Sequence, residues 1–162
     1  MTASATATMT TEILNPLIQA AKDTFSMMLD TNINKGDVCL HGSRDPFYPL
    51  SAVIGLAGAV QGSVCLSFSQ ELAENTVRQM AGLEGEIDVS LLRDTVGEFA
   101  NVIAGSAKDM ISDEVSLGLP NVIHGEGIRI TFPDQACAMR VEFSTELGPF
   151  SLVFGLRAEI GC

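Results

Sequence analysis

Residues 90 to 112 read Ser90-Leu-Leu-Arg-Asp-Thr-Val-Gly-Glu98-Phe-Ala-Asn101-Val-Ile-Ala-Gly105-Ser-Ala-Lys-Asp-Met-Ile-Ser112. At about 100° per residue, Leu92, Val96, Phe99, Ile103, Ala107 and Met110 fall in one stripe. The spacing predicts one long helix with this stripe against a core. Asp94, Glu98, Asn101, Gly105 and Lys108 fall in a second stripe on nearly the opposite side. Glu98 and Asn101 stand three apart, so their side chains are neighbours on the helix surface. Gly105 follows one turn later. An exposed glycine inside a helix costs about 1 kcal/mol against alanine. Close approach by a partner's backbone is a reason to keep it. A Glu and an Asn on a helix exterior are most often a solvated face, and no His, Cys or Gly-rich loop completes an enzyme signature here.

Upstream, an acidic link from Glu84 to Asp88 joins this helix to another, expected over Gln70 to Met80. Ser69 caps it, Leu72, Val77 and Met80 are its apolar positions, and Gly82 ends it. Before it, Val38 to His41, Leu50 to Leu56 and Ser63 to Phe68 read as strands. Gly58 to Gly62 forms a hairpin loop, and the proline-bearing stretch Gly42 to Pro49 forms another loop. A first helix is expected from Asn15 to Met28, with Leu17, Ala20, Ala21 and Phe25 on one face. Asn15 suits a cap and Pro16 a first helical position. Asn32 to Asp37 reads as a turn, and Met1 to Thr11 as a loose tail of Thr, Ala and Ser.

Downstream, a loop ends in Leu119-Pro120-Asn121. Ile128 to Phe132, Ala138 to Phe143 and Phe150 to Leu156 then read as closely spaced strands, which suggests an antiparallel meander. The expected fold is α+β: a mostly antiparallel sheet of about six strands with two or three long helices on one face. Residues 12–162 form a single domain behind the tail of 1–11. Two strand blocks around a helix pair hint at an internal duplication.

Composition narrows the partners. The 162 residues are 46% hydrophobic and carry a formal net charge of -11. So acidic a chain is poorly suited to a phosphate backbone or an anionic membrane surface, which call for Lys and Arg. No basic region followed by an apolar run marks a leader, and no stretch approaches the ~20 apolar residues of a membrane span, so a cytoplasmic protein is expected. Cys39, Cys65, Cys137 and Cys162 are dispersed, without a Cys-x-x-Cys pair. Cys39 and Cys65 lie in strand-like runs and read as buried free thiols. Cys39 and His41 would share a strand face, but two ligands are too few for zinc, and no metal site is expected.

Several stretches resemble one family. Glu98-Phe99-Ala100-Asn101, set in Val96-Gly97 and Val102-Ile103-Ala104-Gly105, resembles the Glu-x-x-Asn motif of the CheC/CheX chemotaxis phosphatases. Asn15-Pro16-Leu17 is similar to the Asn-Pro-Phe start of CheX proteins, and Phe25-Ser26-Met27-Met28-Leu29 to their Phe-x-x-Met-Leu helix end. Ser51 to Leu56 with Gly62 to Phe68 resembles their hairpin, and Leu119 to Gly125 their Leu-Pro-x-x-x-x-Gly segment. The likeness runs from about residue 12 to residue 157.

The resemblance implies hydrolysis of the aspartyl phosphate on a CheY-type receiver. Asn101 would orient the attacking water, and Glu98 would dock on the receiver's Lys. Asp94, one turn before Glu98 on the same face, either tunes receiver contact or stands as a solvated acid. No cofactor of its own is implied, since the receiver supplies Mg²⁺, and a homodimer is implied. CheC-like members carry two Glu-x-x-Asn motifs. Glu12-Ile13-Leu14-Asn15 has those letters, but Pro16 makes Asn15 read as a cap, so a single motif is counted, as in CheX. The alternative is a non-catalytic receiver-binding or flagellar-switch-like module of the same fold.

Overall fold

Among the described residues, apolar side chains at helical spacing produce three helices, and two strand-rich blocks produce one sheet. The structure is a computed structural model that describes residues 3–42, 44–132 and 137–158. The helices are α1 (Ala3–Leu29), α2 (Gln70–Ala81) and α3 (Val89–Lys108). The strands are β1 (Asn34–Leu40), β2 (Leu50–Gly58), β3 (Val60–Phe68), β4 (Val115–Leu117), β5 (Asn121–His124), β6 (Cys137–Ser144) and β7 (Phe150–Ala158). All seven join one antiparallel sheet in the order β1-β6-β7-β3-β2-β4, with β5 also paired to β2.

The expected α+β class and the antiparallel sheet hold; the simple meander does not. The hairpins β2–β3 and β6–β7 form locally, but β3 pairs β7 along nine residues, from Val60↔Ala158 to Phe68↔Phe150. β1 crosses to β6, and β4 and β5 cross to β2. Alternation in β2, β3 and β7 sends Leu50, Ala52, Ile54, Val64, Leu66, Phe150, Leu152 and Phe154 toward the helices, all buried.

The other face carries a smaller cluster of Phe47, Cys65 and Val153, packed by Val53, Ile128, Ile130 and Phe132. Residues 128–132, expected as a strand, take no place in the sheet. Their alternating apolar side chains cover that second face as an irregular strap. Gly155 makes room for it, since a Cβ there would stand 2.4 Å from a Phe132 ring carbon.

Three further expectations are corrected. Asn15 does not cap α1: the helix starts at Ala3 and contains Pro16. Residues 3–11 of the expected tail are therefore helical, whereas Met1 and Thr2 lie outside the described residues. Proline costs the Glu12 carbonyl its intrahelical donor. Ile13 and Leu17, at 2% and 0% exposure, anchor the chain on both sides of it. The expected turn at Asn32 to Asp37 is largely β1, with a bulge between Lys35 and Val38. Gly36 sits in that bulge, where a Cβ would lie 3.2 Å from the Glu142 carbonyl oxygen. Finally, α3 stops at Lys108, and Met110 turns outward to 46% exposure instead of extending the core stripe.

The cysteines also divide. Cys65 is buried, and burial pushes its thiol up to about 12. Cys39 is exposed, contrary to expectation, because β1 is an edge strand. Side-chain descriptions do not extend to Cys137, and Cys162 lies outside the described residues. Because the thiolate is the reactive species, maleimide at pH 8 should label Cys39 within minutes and leave Cys65 intact until the chain is unfolded. Peptide mapping by mass spectrometry checks this, and early labelling of Cys65 would contradict its placement.

Candidate functional site

α3 is built to hold one face rigid and present the other. Asp88 caps it, its carboxylate accepting from the Ser90 backbone N–H at 2.7 Å. Leu92, Val96, Phe99, Ala100, Ile103, Ala104 and Ala107 are buried on the inner side. Phe99 is locked in an aromatic cluster, 5.2 Å from the Phe25 ring centroid and 6.2 Å from that of Phe68. The residue before it is Glu98, so the core fixes the direction in which the outer face points.

That outer face carries Arg93, Asp94, Glu98, Asn101, Gly105 and Lys108, all exposed. Neither Glu98 nor Asn101 has a hydrogen-bond partner among the described residues. Both polar groups are therefore free for an external one. Gly97, Glu98, Asp94, Ser90, Arg93 and Val122 line a shallow cleft of about 560 Å³. Val122, on β5, closes one wall. It packs so tightly on α3 that a Cβ at Gly97 would stand 3.2 Å from it. A Cβ at Gly105 meets no atom within 4 Å. Nothing among the described residues asks for glycine there.

All four residues singled out from the sequence thus lie on one exposed face, and Asp94 and Glu98 also share a cleft. Ser90, Arg93 and Val122 escaped the sequence reading. Arg93 lies off the polar stripe, and Val122 belongs to a strand too short to have a readable period.

The remaining polar groups offer less chemistry. His41 lies just beyond β1, its backbone N–H donating to Ala138 O at 2.9 Å. Burial, then the Arg140 guanidinium, hold its pKa below the ordinary value. Among the described residues, no group of three or more His, Cys, Asp or Glu is placed to hold a metal ion, and no helix is long and apolar enough to cross a membrane.

Comparison with known proteins bears on the same region. A family model described as chemotaxis phosphatase CheX matches residues 50–144, more than half the chain. The CheY-P phosphatase CheX of Thermotoga maritima is 28% identical over 126 residues, which span 75% of this chain and 81% of that one. The crystal structure of a chemotaxis protein CheX from Desulfovibrio desulfuricans superposes with a TM-score of 0.79 at 27% identity, covering 90% of this chain and 99% of that one. The CheX–CheY–BeF₃–Mg²⁺ complex from Borrelia burgdorferi shares the fold, with a TM-score of 0.71 at 24% identity over 90% of this chain and 97% of that one.

Proposed function

The chain belongs to the chemotaxis phosphatase CheX family, and from that premise we propose that it hydrolyses the aspartyl phosphate of a CheY-type response regulator, with Asn101 orienting the attacking water and Glu98 docking on the receiver's Lys. The observation that carries this reading is the unpartnered Glu98–Asn101 pair on the outer face of a helix clamped by the core.

Phosphoryl transfer asks an enzyme for positioning and charge neutralisation more than for a covalent step. In this proposal the receiver brings the acylphosphate, its Mg²⁺ and its Lys, which together neutralise the phosphoryl oxygens. The water oxygen bonds to phosphorus as the bond from phosphorus to the aspartyl oxygen breaks. The aspartate leaves as carboxylate, and the water's proton passes to the phosphate product and solvent. A neutral amide can both donate to and accept from that water, and so hold it in line. A carboxylate in the same place would repel the phosphoryl group. Glu98, one turn earlier, instead pairs with the receiver's Lys and sets the docking register. Asp94 lies one further turn back and extends the same acidic surface. The proposed enzyme works beside its receiver in the cytoplasm, and the resemblance implies a homodimer.

Gly105 offers a test in which stability and binding move oppositely. Gly105→Ala should stabilise the fold by about 1 kcal/mol, because alanine is the better helix former and the Cβ has room. It should also weaken receiver capture, because that Cβ stands where the partner's backbone approaches. Thermal melts and a titration with BeF₃⁻-loaded receiver check both signs. Unchanged capture would remove Gly105 from the docking face.

The deciding assay follows phosphate loss from a phosphorylated CheY-type receiver in Mg²⁺ with and without the chain. Faster loss supports the phosphatase. Binding that leaves the phosphate lifetime unchanged would establish the non-catalytic binding module.

A further inference from the structure

The inward stripes of α2 and α3 both run out past the core at the link between them. Leu72, Ala73, Thr76 and Val77 are the buried side of α2. Met80 comes one turn after Thr76 and Val77, so it belongs to that side. On α3, Val89 comes three residues before Leu92 and seven before Val96, both buried. Met80 and Val89 nevertheless each stand 44% exposed, and so does Leu83 in the link itself.

The link is folded tightly enough to hold these side chains at one end of the helical layer. Gly82, at φ +63°, ends α2 and turns the chain. Arg78 Nη2 then donates to the Gly85 carbonyl at 3.1 Å, which draws the link back over the last turn of α2. Ile87 tucks into the core, and Asp88 caps α3, which packs on α2. A single exposed apolar side chain is ordinary. Here three large ones, a pliable Met among them, close off neither helix's stripe.

Charge says what would cover them. The link that carries Leu83 also carries Glu84, Glu86 and Asp88, all exposed. No Lys or Arg lies between Arg78 and Arg93. Arg78 is engaged by Glu74 at 3.7 Å as well as by Gly85, and Arg93 borders the cleft on the outer side of α3. A second copy of this chain would bring the same acids against these, and like charges repel. An amphipathic helix with Lys or Arg beside its apolar face supplies both what the patch and what the acids lack.

We propose that the open end of the core between α2 and α3 docks a basic amphipathic helix of another protein. Its apolar face covers Met80, Leu83 and Val89, and its cations meet Glu84, Glu86 and Asp88. Val89 and Glu98 are separated by about 13 Å along α3 and about half a turn around it. The docked helix therefore leaves the outer face of α3 open. The site stands independently of the function proposed for that face.

The test uses the full chain and a peptide of about 18 residues, long enough to form a helix. The peptide contains only Leu and Lys, with its leucines on one helical face. In calorimetric titrations at about 0.15 M salt, where distant charges are screened, it should bind at least about tenfold tighter than a peptide of the same composition with scattered leucines. Hydrogen exchange should show its protection at residues 80–89. Met80→Ser combined with Leu83→Ser should bring the two peptides to within about twofold of each other, with thermal melts showing the variant folded. Glu84→Gln with Glu86→Gln should weaken both peptides. Equal affinity of the two peptides for the wild-type chain would overturn the proposal, as would protection placed elsewhere. A wild-type dimer that sediments as a monomer once Met80 and Leu83 are serine would also overturn it, by giving the patch to a second copy.

Discussion

Asn101→Ala lowers the rate of receiver dephosphorylation about 100-fold, the cost of misplacing one reacting group by an ångström or so. The side chain is exposed and has no hydrogen-bond partner among the described residues, so its loss removes little packing and none of their hydrogen bonds. Alanine is also the better helix former, so the fold should be unharmed or slightly firmer. The variant should therefore still bind BeF₃⁻-loaded receiver, because Glu98, Asp94 and Gly105 remain. The contrast is Glu98→Ala. Losing the contact to the receiver's Lys should raise the receiver concentration needed for half-maximal rate more than it lowers the rate at saturation. Stopped-flow traces over a range of phosphorylated receiver separate the two effects. Equal loss in both parameters for both variants would mean that the pair acts as a single docking unit, with no residue dedicated to the water.

What the sequence displayed and what it hid divide along physical lines. α3 was legible because its apolar residues keep a helical period over twenty residues, and its polar stripe carried Glu98 and Asn101 in plain view. The hairpins β2–β3 and β6–β7 were legible because their pairing is local. The partners of β1, β4 and β5 were not, because those pairings join distant segments and β4 spans only three residues. Residues 128–132 misled for a different reason: their alternation marks one covered face, which a strap across a sheet shares with a strand within it. Pro16 hid the start of α1. A proline next to a good capping residue favours a helix beginning, and only the burial of Ile13 upstream shows that tertiary packing outweighs that preference.

Phe25→Ala should destabilise the fold by about 3–5 kcal/mol, the range for removing a fully buried aromatic side chain. Its ring is inaccessible and touches three elements at once: it stacks on Phe150 of β7 at 5.0 Å and meets Phe99 of α3 edge-on at 5.2 Å and Phe68 of β3 edge-on at 6.2 Å. Edge-to-face and offset pairs add about 0.5–1.5 kcal/mol each beyond buried area, which favours the upper part of the range. For a chain of this size the midpoint of thermal unfolding should fall by roughly 10 °C. Against a typical total stability of about 5–15 kcal/mol, much of the margin would be gone. A functional consequence follows from position. Phe25 ties α1 to α3 beside Phe99, the residue next to Glu98, so the cavity left behind loosens the support of the outer face. Dephosphorylation by Phe25→Ala, measured well below its melting point and scaled to the folded fraction, should fall modestly, with weaker receiver capture. Phe143→Ala is the control: its ring stacks on Phe150 at 4.7 Å, out of direct ring contact with Phe99, so it should cost stability while the folded fraction keeps its activity. If the two variants lose activity alike, the aromatic cluster supports the fold as a whole and does not aim α3 through Phe25.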